Sequence, residues 1–434
     1  MNEKLDKYDN WALIFWIKDF FAGKTIRNHF KYVTDAISGN LDINKQKSDL
    51  KKLLEHATTT VRFYSHINST ELTDFPIIDK SIIKENLNEF ISSKYKKEDL
   101  FKEMTSGSTG TPLIVYQDGN KRKHAAADTI AFSDFAGYKL GSKLYYSRVW
   151  NKFNRKSKLQ SIIQNIIMYD SDKLTDDDLQ HFIATLESDH SQKSVLIFAS
   201  TLTALYLYMK KNNIITTAKV NVFITMSESL PINVRIGIQE LFNCPVVSRY
   251  SNCECGILAQ QCNNSDEYHI NSASFYIELL KFGSDIPAEE GEPGRIIVTD
   301  LFNYSMPIIR YDTGDVGVIK SSSKFKNLKV FSRIDGRKID CIYSTSGKML
   351  SPYVIINTMW RFLEIKQYQF IQNDKKDYTL KINCDQNSLN SEKNIIKALK
   401  EYIGENAKIE IIYVDEIPLL SSGKRKQVIN NYNI

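Results

Sequence analysis

Between residues 46 and 64, Leu50, Leu53, Leu54, Ala57 and Val61 recur at intervals of three and four, which predicts one buried face of a helix. The run F-P-I-I-D-K, ending at Lys80, and a second helical stretch follow as packing elements. Residues 124–135 predict a small-residue helix whose alanines allow a neighbour to approach closely. From Ser194 the pattern alternates: V-L-I-F-A, a helix over 202–212, V-N-V-F-I-T-M, a helix after Pro231, then P-V-V-S-R-Y. Strands alternating with helices predict a mainly parallel sheet. Residues 306–315, M-P-I-I-R-Y-D-T-G-D, read as an apolar strand running into a tight turn that displays Asp315 just after Gly314. The patch K-S-S-S-K-F-K-N-L-K from Lys320 reads as a surface turn. Beyond Ser351 come a helix, strands at 367–372 and 378–383, a helix at 391–402 and a strand at 409–414, a compact α+β unit. The fold class is therefore α/β, with a large first part over 1–335 and a smaller one over 336–434.

Bulk properties narrow the function without naming it. The chain has 434 residues, 42% hydrophobic and 25% charged, as in an ordinary folded protein of about two or three domains. Its net charge of +6 is consistent with small anionic substrates or an anionic surface, falls far short of a nucleic-acid footprint, and is read as a lysine-rich solvated surface. Six cysteines in so long a chain do not make a disulfide framework, and Glu3, Asp6 and Asp9 spoil any basic leader region, so a cytoplasmic protein is expected. The apolar segment 11–17 is broken by Lys18 and Asp19, too short for a transmembrane segment. A docked N-terminal helix is expected there rather than an interfacial anchor. Arg148, Lys152, Arg155, Lys156 and Lys158 are read as a solvated loop rather than a surface for a phosphorylated acceptor or lipid headgroups.

The candidate chemistry begins at residues 105–117, T-S-G-S-T-G-T-P-L-I-V-Y-Q. Short hydroxyls, exposed backbone N–H groups and two glycines free to take positive φ form an anion cradle suited to a polyphosphate. No lysine follows Gly110, and Leu113 to Tyr116 read as a strand, so this is not a Walker loop. Ser227-Glu228-Ser229 and Tyr250 to Glu254 stand at strand ends, where such sheets place ligands. Glu254, a lone carboxylate in Y-S-N-C-E-C-G, is a candidate magnesium ligand, since that ion is satisfied by one or two carboxylates with phosphate oxygens and water. Asp315 is suited to accept both hydroxyls of a ribose. Lys424, in P-L-L-S-S-G-K-R-K, is a candidate mobile cation. Each of these alone is equally an ordinary turn or surface residue. Cys244, Cys253, Cys255, Cys262 and His269 raise the question of zinc, but Cys253 and Cys255 on one strand face with Glu254 on the other, and no C-x-x-C knuckle, favour free thiols.

The phosphate loop, Y-x-x-x-E, R-Y-D-T-G-D, G-R-x-x-D at Gly336 and the final S-G-K occur in the order of the adenylate-forming (ANL) superfamily. Within it the chain resembles the phenylacetate-CoA ligase and CapK-type capsular polysaccharide branch, which also shares L-K-K-L-L-E-H-A-T-T-T-V-R-F-Y at residues 50–64. The resemblance implies a large multi-sheet N-terminal domain that binds ATP and an acid, and a small mobile C-terminal lid. It implies that Ser106, Gly107, Ser108, Thr109 and Gly110 hold the β- and γ-phosphates and that Glu254 binds Mg²⁺. Tyr250 would lie against adenine, Glu228 on the adenine side, Asp315 and Arg337 at the ribose, and Lys424 between carboxylate and α-phosphate. The implied reaction is ATP-dependent formation of an acyl-adenylate followed by acyl transfer to CoA. The alternatives are an amine acceptor, such as an amino sugar in surface-polysaccharide synthesis, or a non-catalytic ATP-binding scaffold; a homodimer is left open. Two departures bear on the second step. Ser251 and Cys253 replace the family's usual residues beside the metal-binding glutamate, and Ile339 stands at the hinge position, with Asp340 one residue later.

Overall fold

The computed structural model describes residues 9–105, 112–150, 155–171, 175–262, 265–325, 328–337, 341–350, 352–359, 361–362, 364–384, 392–418 and 426–432. Three helices open the chain: α1 (Asp9–Phe21), α2 (Thr25–Ile37) and α3 (Ile43–Thr60). Asp42 caps α3 by accepting from the Lys45 N–H, and the apolar stripe anticipated there is buried at Leu53, Leu54 and Ala57. The short α4 (Lys80–Glu85) is capped by Asp79, which accepts from the Ser81 and Ile82 N–H groups. A hairpin follows, β1 (Phe101–Met104) with β2 (Ile114–Gln117), then α5 (Gly119–Ala136), capped by Asp118 and closed by Gly137 at φ 102°.

The next stretch alternates strand and helix: β3 (Lys143–Arg148), α6 (Lys158–Ile163), β4 (Ile166–Asp170), α7 (Asp176–Ser188), β5 (Lys193–Phe198), α8 (Ala199–Lys211), β6 (Phe223–Met226), α9 (Ile232–Phe242) and β7 (Val246–Asn252). These five strands are parallel, in the order β4-β3-β5-β6-β7. The sheet is only half parallel, however, because short connections thereafter force antiparallel pairing. Strands β8 (Gly256–Gln261), β9 (Tyr268–Ile270), β10 (Phe275–Leu280), β11 (Pro293–Asp300), β12 (Tyr311–Ser321) and β13 (Lys329–Arg337) extend it to eleven, ordered β10-β11-β12-β13-β9-β8-β7-β6-β5-β3-β4.

The expectation for 306–315 is corrected. Residues 306–310 are not strand: Pro307 interrupts them, and Arg310 takes a left-handed φ of 49° with its guanidinium buried against the Phe75 carbonyl at 3.1 Å and Glu278 at 3.1 and 3.2 Å. Asp315 is not on an open turn either. Asp312 pairs with Ile297 and Val316 with Arg295, so Thr313, Gly314 and Asp315 form a bulge within β12. The turn chemistry is present, with Asp312 accepting the Gly314 N–H at 2.9 Å and Gly314 at φ 75°, but paired strand continues on both sides. Residues 253–255 likewise form the turn between β7 and β8 rather than strand, so Glu254 and its flanking cysteines are not on alternating strand faces.

Beyond β13 lie β14 (Ile342–Tyr343), β15 (Met349–Leu350), α10 (Pro352–Met359), β16 (Ile365–Gln372), β17 (Asp377–Cys384), α11 (Glu392–Ile403), β18 (Lys408–Tyr413) and β19 (Val428–Asn430). The sheet β18-β17-β16-β19 has its own buried core, from Ile342 and Leu350 through Phe370, Leu380 and Leu399 to Val428. No helix among the described residues is long and apolar enough to cross a membrane.

Candidate active site

Five anticipated side chains are described, and four of them converge where β7, the β7–β8 turn, β12 and β13 meet. Tyr250, near the end of β7, donates its hydroxyl to Asp315 Oδ2 at 2.7 Å, with its ring edge-on to Phe331. Asp315 lies opposite Arg337 in the β12–β13 register. Burial pushes the Asp315 carboxyl above its ordinary range, while the Tyr250 hydrogen bond and the Arg337 charge pull the other way. Glu254, 2% exposed, accepts the Tyr311 hydroxyl at 2.8 Å and lies 2.9 Å from Lys80 Nζ. Tyr311 itself is fully buried. The Asp315 carboxylate feels the charges of Arg337, Lys80 and Glu254 together, so these groups share one electrostatic neighbourhood.

Lys80 and Tyr311 were not singled out in the sequence. Their meeting is built by the backbone: Ile78 forms a bridge with Tyr311, donating its N–H to the Arg310 carbonyl at 3.1 Å and accepting from Asp312 at 2.8 Å. Asp79 then caps α4, which fixes Lys80 as its first residue and aims it at Glu254. The D-K after F-P-I-I was the available signal, but only the bridge across the fold turns a helix start into a partner for the carboxylate.

Glu228 lies in the loop after β6, where the left-handed Ser227 at φ 70° turns the chain sharply. Its carboxylate accepts the Ser200 N–H at 3.0 Å, at the first turn of α8, a helix without a side-chain cap of its own. Ser106, Gly107, Ser108, Thr109, Gly110 and Lys424 lie outside the described residues, as do Ile339 and Asp340. On the near side of the phosphate loop, the Thr105 hydroxyl accepts the Leu113 N–H at 3.0 Å, and the Thr105 N–H bonds the Leu113 carbonyl at 3.0 Å, so the loop's two ends are clasped together. Among the cysteines, Cys244, Cys255 and Cys262 are buried and Cys253 is exposed, and no group of three or more metal-ligating side chains forms among the described residues. Arg148, read as part of a solvated loop, is half-buried, with its guanidinium over Tyr146 and Trp150 at 5.7 and 5.4 Å.

One carboxylate already neutralised by a lysine is not a self-sufficient metal cage. It fits a magnesium ion brought in on phosphate oxygens and needing one protein carboxylate.

Comparison with known proteins agrees with this architecture. Residues 342–431 match the CapK C-terminal domain. Protein CapK of Staphylococcus aureus is 25% identical over 385 residues, spanning 84% of this chain and 81% of that protein. Among solved structures, 2-hydroxyisobutyryl-CoA ligase in the postadenylation state superposes with a TM-score of 0.69 at 12% identity, covering 88% of each chain. ATP-bound MatB from Rhodopseudomonas palustris gives 0.54 at 13% identity, over 78% of this chain and 68% of that one. The chain is thus similar to protein CapK over most of its length, matches the CapK C-terminal domain over residues 342–431, and shares the fold of these ligases.

Proposed function

We propose that this protein activates a carboxylic acid with ATP, forming an acyl-adenylate and pyrophosphate, and passes the acyl group to CoA. The observation that carries the reading is the convergence of Tyr250, Glu254, Asp315 and Arg337 from distant segments onto one charged neighbourhood, in a chain that also clasps the two ends of a phosphate-type loop together. A carboxylate oxygen of the acid attacks the α-phosphorus, the bond to pyrophosphate breaks, and the mixed anhydride forms. The thiolate of CoA then attacks the acyl carbon and AMP leaves. Such displacements are accelerated chiefly by positioning and charge neutralisation, which is what these residues supply.

In this reading Asp315 and Arg337 fix the ribose, Tyr250 and Glu228 border the adenine, and Ser106 to Gly110 receive the β- and γ-phosphates. Glu254 would hold a nucleotide-borne Mg²⁺, which supplies neutralisation of the phosphate charge. Lys80 keeps the Glu254 carboxylate neutralised until the nucleotide arrives. Residues 336–434 act as the moving lid that brings Lys424 to the reacting carboxylate. The CoA ligases among the fold relatives favour a thiol acceptor over an amine. Incubation with ATP, a panel of acids and CoA tests the whole sequence: AMP and an acyl thioester are expected. ADP and phosphate would contradict adenylation, and AMP with an amide but no thioester would transfer the second step to an amine.

A further inference from the structure

We propose that the outward face of α1, together with α6, rests on the surface of an anionic membrane. The two faces of α1 are both apolar. Ala12, Phe15 and Trp16 turn towards the protein, with Trp16 meeting Phe30 of α2 at 5.6 Å between ring centroids. Leu13, Ile14, Ile17, Phe20 and Phe21, at steps of one, three and four, form the opposite stripe and are 43% to 82% exposed. Five large apolar side chains left exposed on one helix, among the described residues, are far from the scattered exposure of an ordinary surface.

A second apolar segment lies at the same corner. Leu159, Ile162 and Ile163 of α6, with Ile167 of β4, are 42% to 67% exposed. Leu140 lines a cavity against Ala12 and Trp16 of α1, and its neighbour Gly141 accepts the Asn165 side-chain amide, just past α6, at 3.0 Å. Residues 140–141 therefore bring the inner face of α1 and the end of α6 close to one another.

Charge decides what covers this edge. In residues 12–31 the exposed charged side chains are Lys18, Lys24, Arg27 and Lys31; the lone acid, Asp19, is buried and capping the Ile26 and Arg27 N–H groups at 3.0 and 2.9 Å. In residues 155–168 the charged side chains are Arg155, Lys156 and Lys158. An apolar stripe whose exposed charges are mostly cations, with Asp134 beside Ala12 and Trp16 paired to Lys139 at 2.6 Å, suits the headgroup boundary of an anionic bilayer, where the rings enter the acyl region and the lysines meet the phosphates. A second copy across a two-fold axis would instead set this rim against itself, cation to cation.

The test is sedimentation of the full chain with vesicles of phosphatidylcholine alone or with about 30% phosphatidylglycerol. Binding is expected only to the anionic vesicles at low salt. It should weaken at least about tenfold in a combined Ile17→Ser, Phe20→Ser, Phe21→Ser variant, and similarly in Lys18→Glu, Lys24→Glu, because insertion and headgroup attraction act together. All five side chains are exposed, so circular dichroism should match the parent. Three results would overturn the proposal: no sedimentation with anionic vesicles, equal binding by both variants, or a wild-type dimer in solution that the triple substitution abolishes.

Discussion

Glu254 is the residue whose surroundings say most about the site, because burying a carboxylate is costly unless it is paired, and it has two partners, Lys80 and Tyr311. Removing a partner from a buried pair is costly, but Lys80 is itself about a third exposed, so water takes up part of the loss. Lys80→Ala is therefore expected to cost about 2 kcal/mol in denaturant unfolding, between the values for surface and fully buried pairs. Asp315→Asn replaces an acceptor by an amide donor facing the proposed ribose. A charged hydrogen bond contributes about 1.5–3 kcal/mol, so ATP binding measured by calorimetry is expected to weaken roughly 10- to 100-fold. Glu254 and Asp315 were singled out in the sequence by their own chemistry beside a strand end or glycine, and Tyr250 and Arg337 through the resemblance. Lys80 and Tyr311 were not, because a lysine in a helix start and a tyrosine in an apolar run signal nothing until Ile78 bridges to Tyr311.

At the scale of elements, α5 is fastened to β11 by a buried ion pair, Lys121 to Asp300 at 2.6 Å, with both side chains almost wholly out of solvent. Lys121→Met would leave Asp300 buried and uncompensated, an expected loss of about 3–5 kcal/mol, whereas Lys121→Met with Asp300→Leu should recover most of it. Denaturant unfolding of the single and double variants checks both. On the same helix, His124 stacks on Phe302 at 3.9 Å and lies 4.3 Å from His29. Burial first, and His29 second, push its imidazole down to about 4. The unfolded chain then takes up the proton near pH 6.5 while the folded one refuses it. Stability is thus complete above about pH 6.5 and falls as pH drops towards 4, by up to about 3 kcal/mol. His124→Gln should flatten that limb in thermal unfolding measured across the same range.

The alternation after Ser194 and the C-terminal elements could be read because short apolar runs and helical spacing are local signals. The bulge at residues 313–315 could not: whether Gly314 opens a loop or bulges a strand depends on whether β11 and β13 flank it, which is long-range information. The same holds for β19, three residues whose strand state rests on parallel pairing with β16.

For the molecule as a whole, the eleven-stranded sheet and the four-stranded sheet carry separate cores, joined after Arg337. That division suits the proposed arrangement, in which the larger unit would bind ATP and the acid and the smaller would bring up Lys424. A unit charge about 4 Å from another at an effective dielectric near 20 contributes about 4 kcal/mol, so Lys424→Ala is expected to slow adenylation roughly 10²- to 10³-fold. The most direct measurement is exchange of labelled pyrophosphate into ATP, without CoA, across aryl, aliphatic, amino and hydroxy acids. Exchange supported by one class of acid is the expected result. Measurable ATP binding with no exchange for any acid would contradict the adenylating function and point to a nucleotide-binding scaffold.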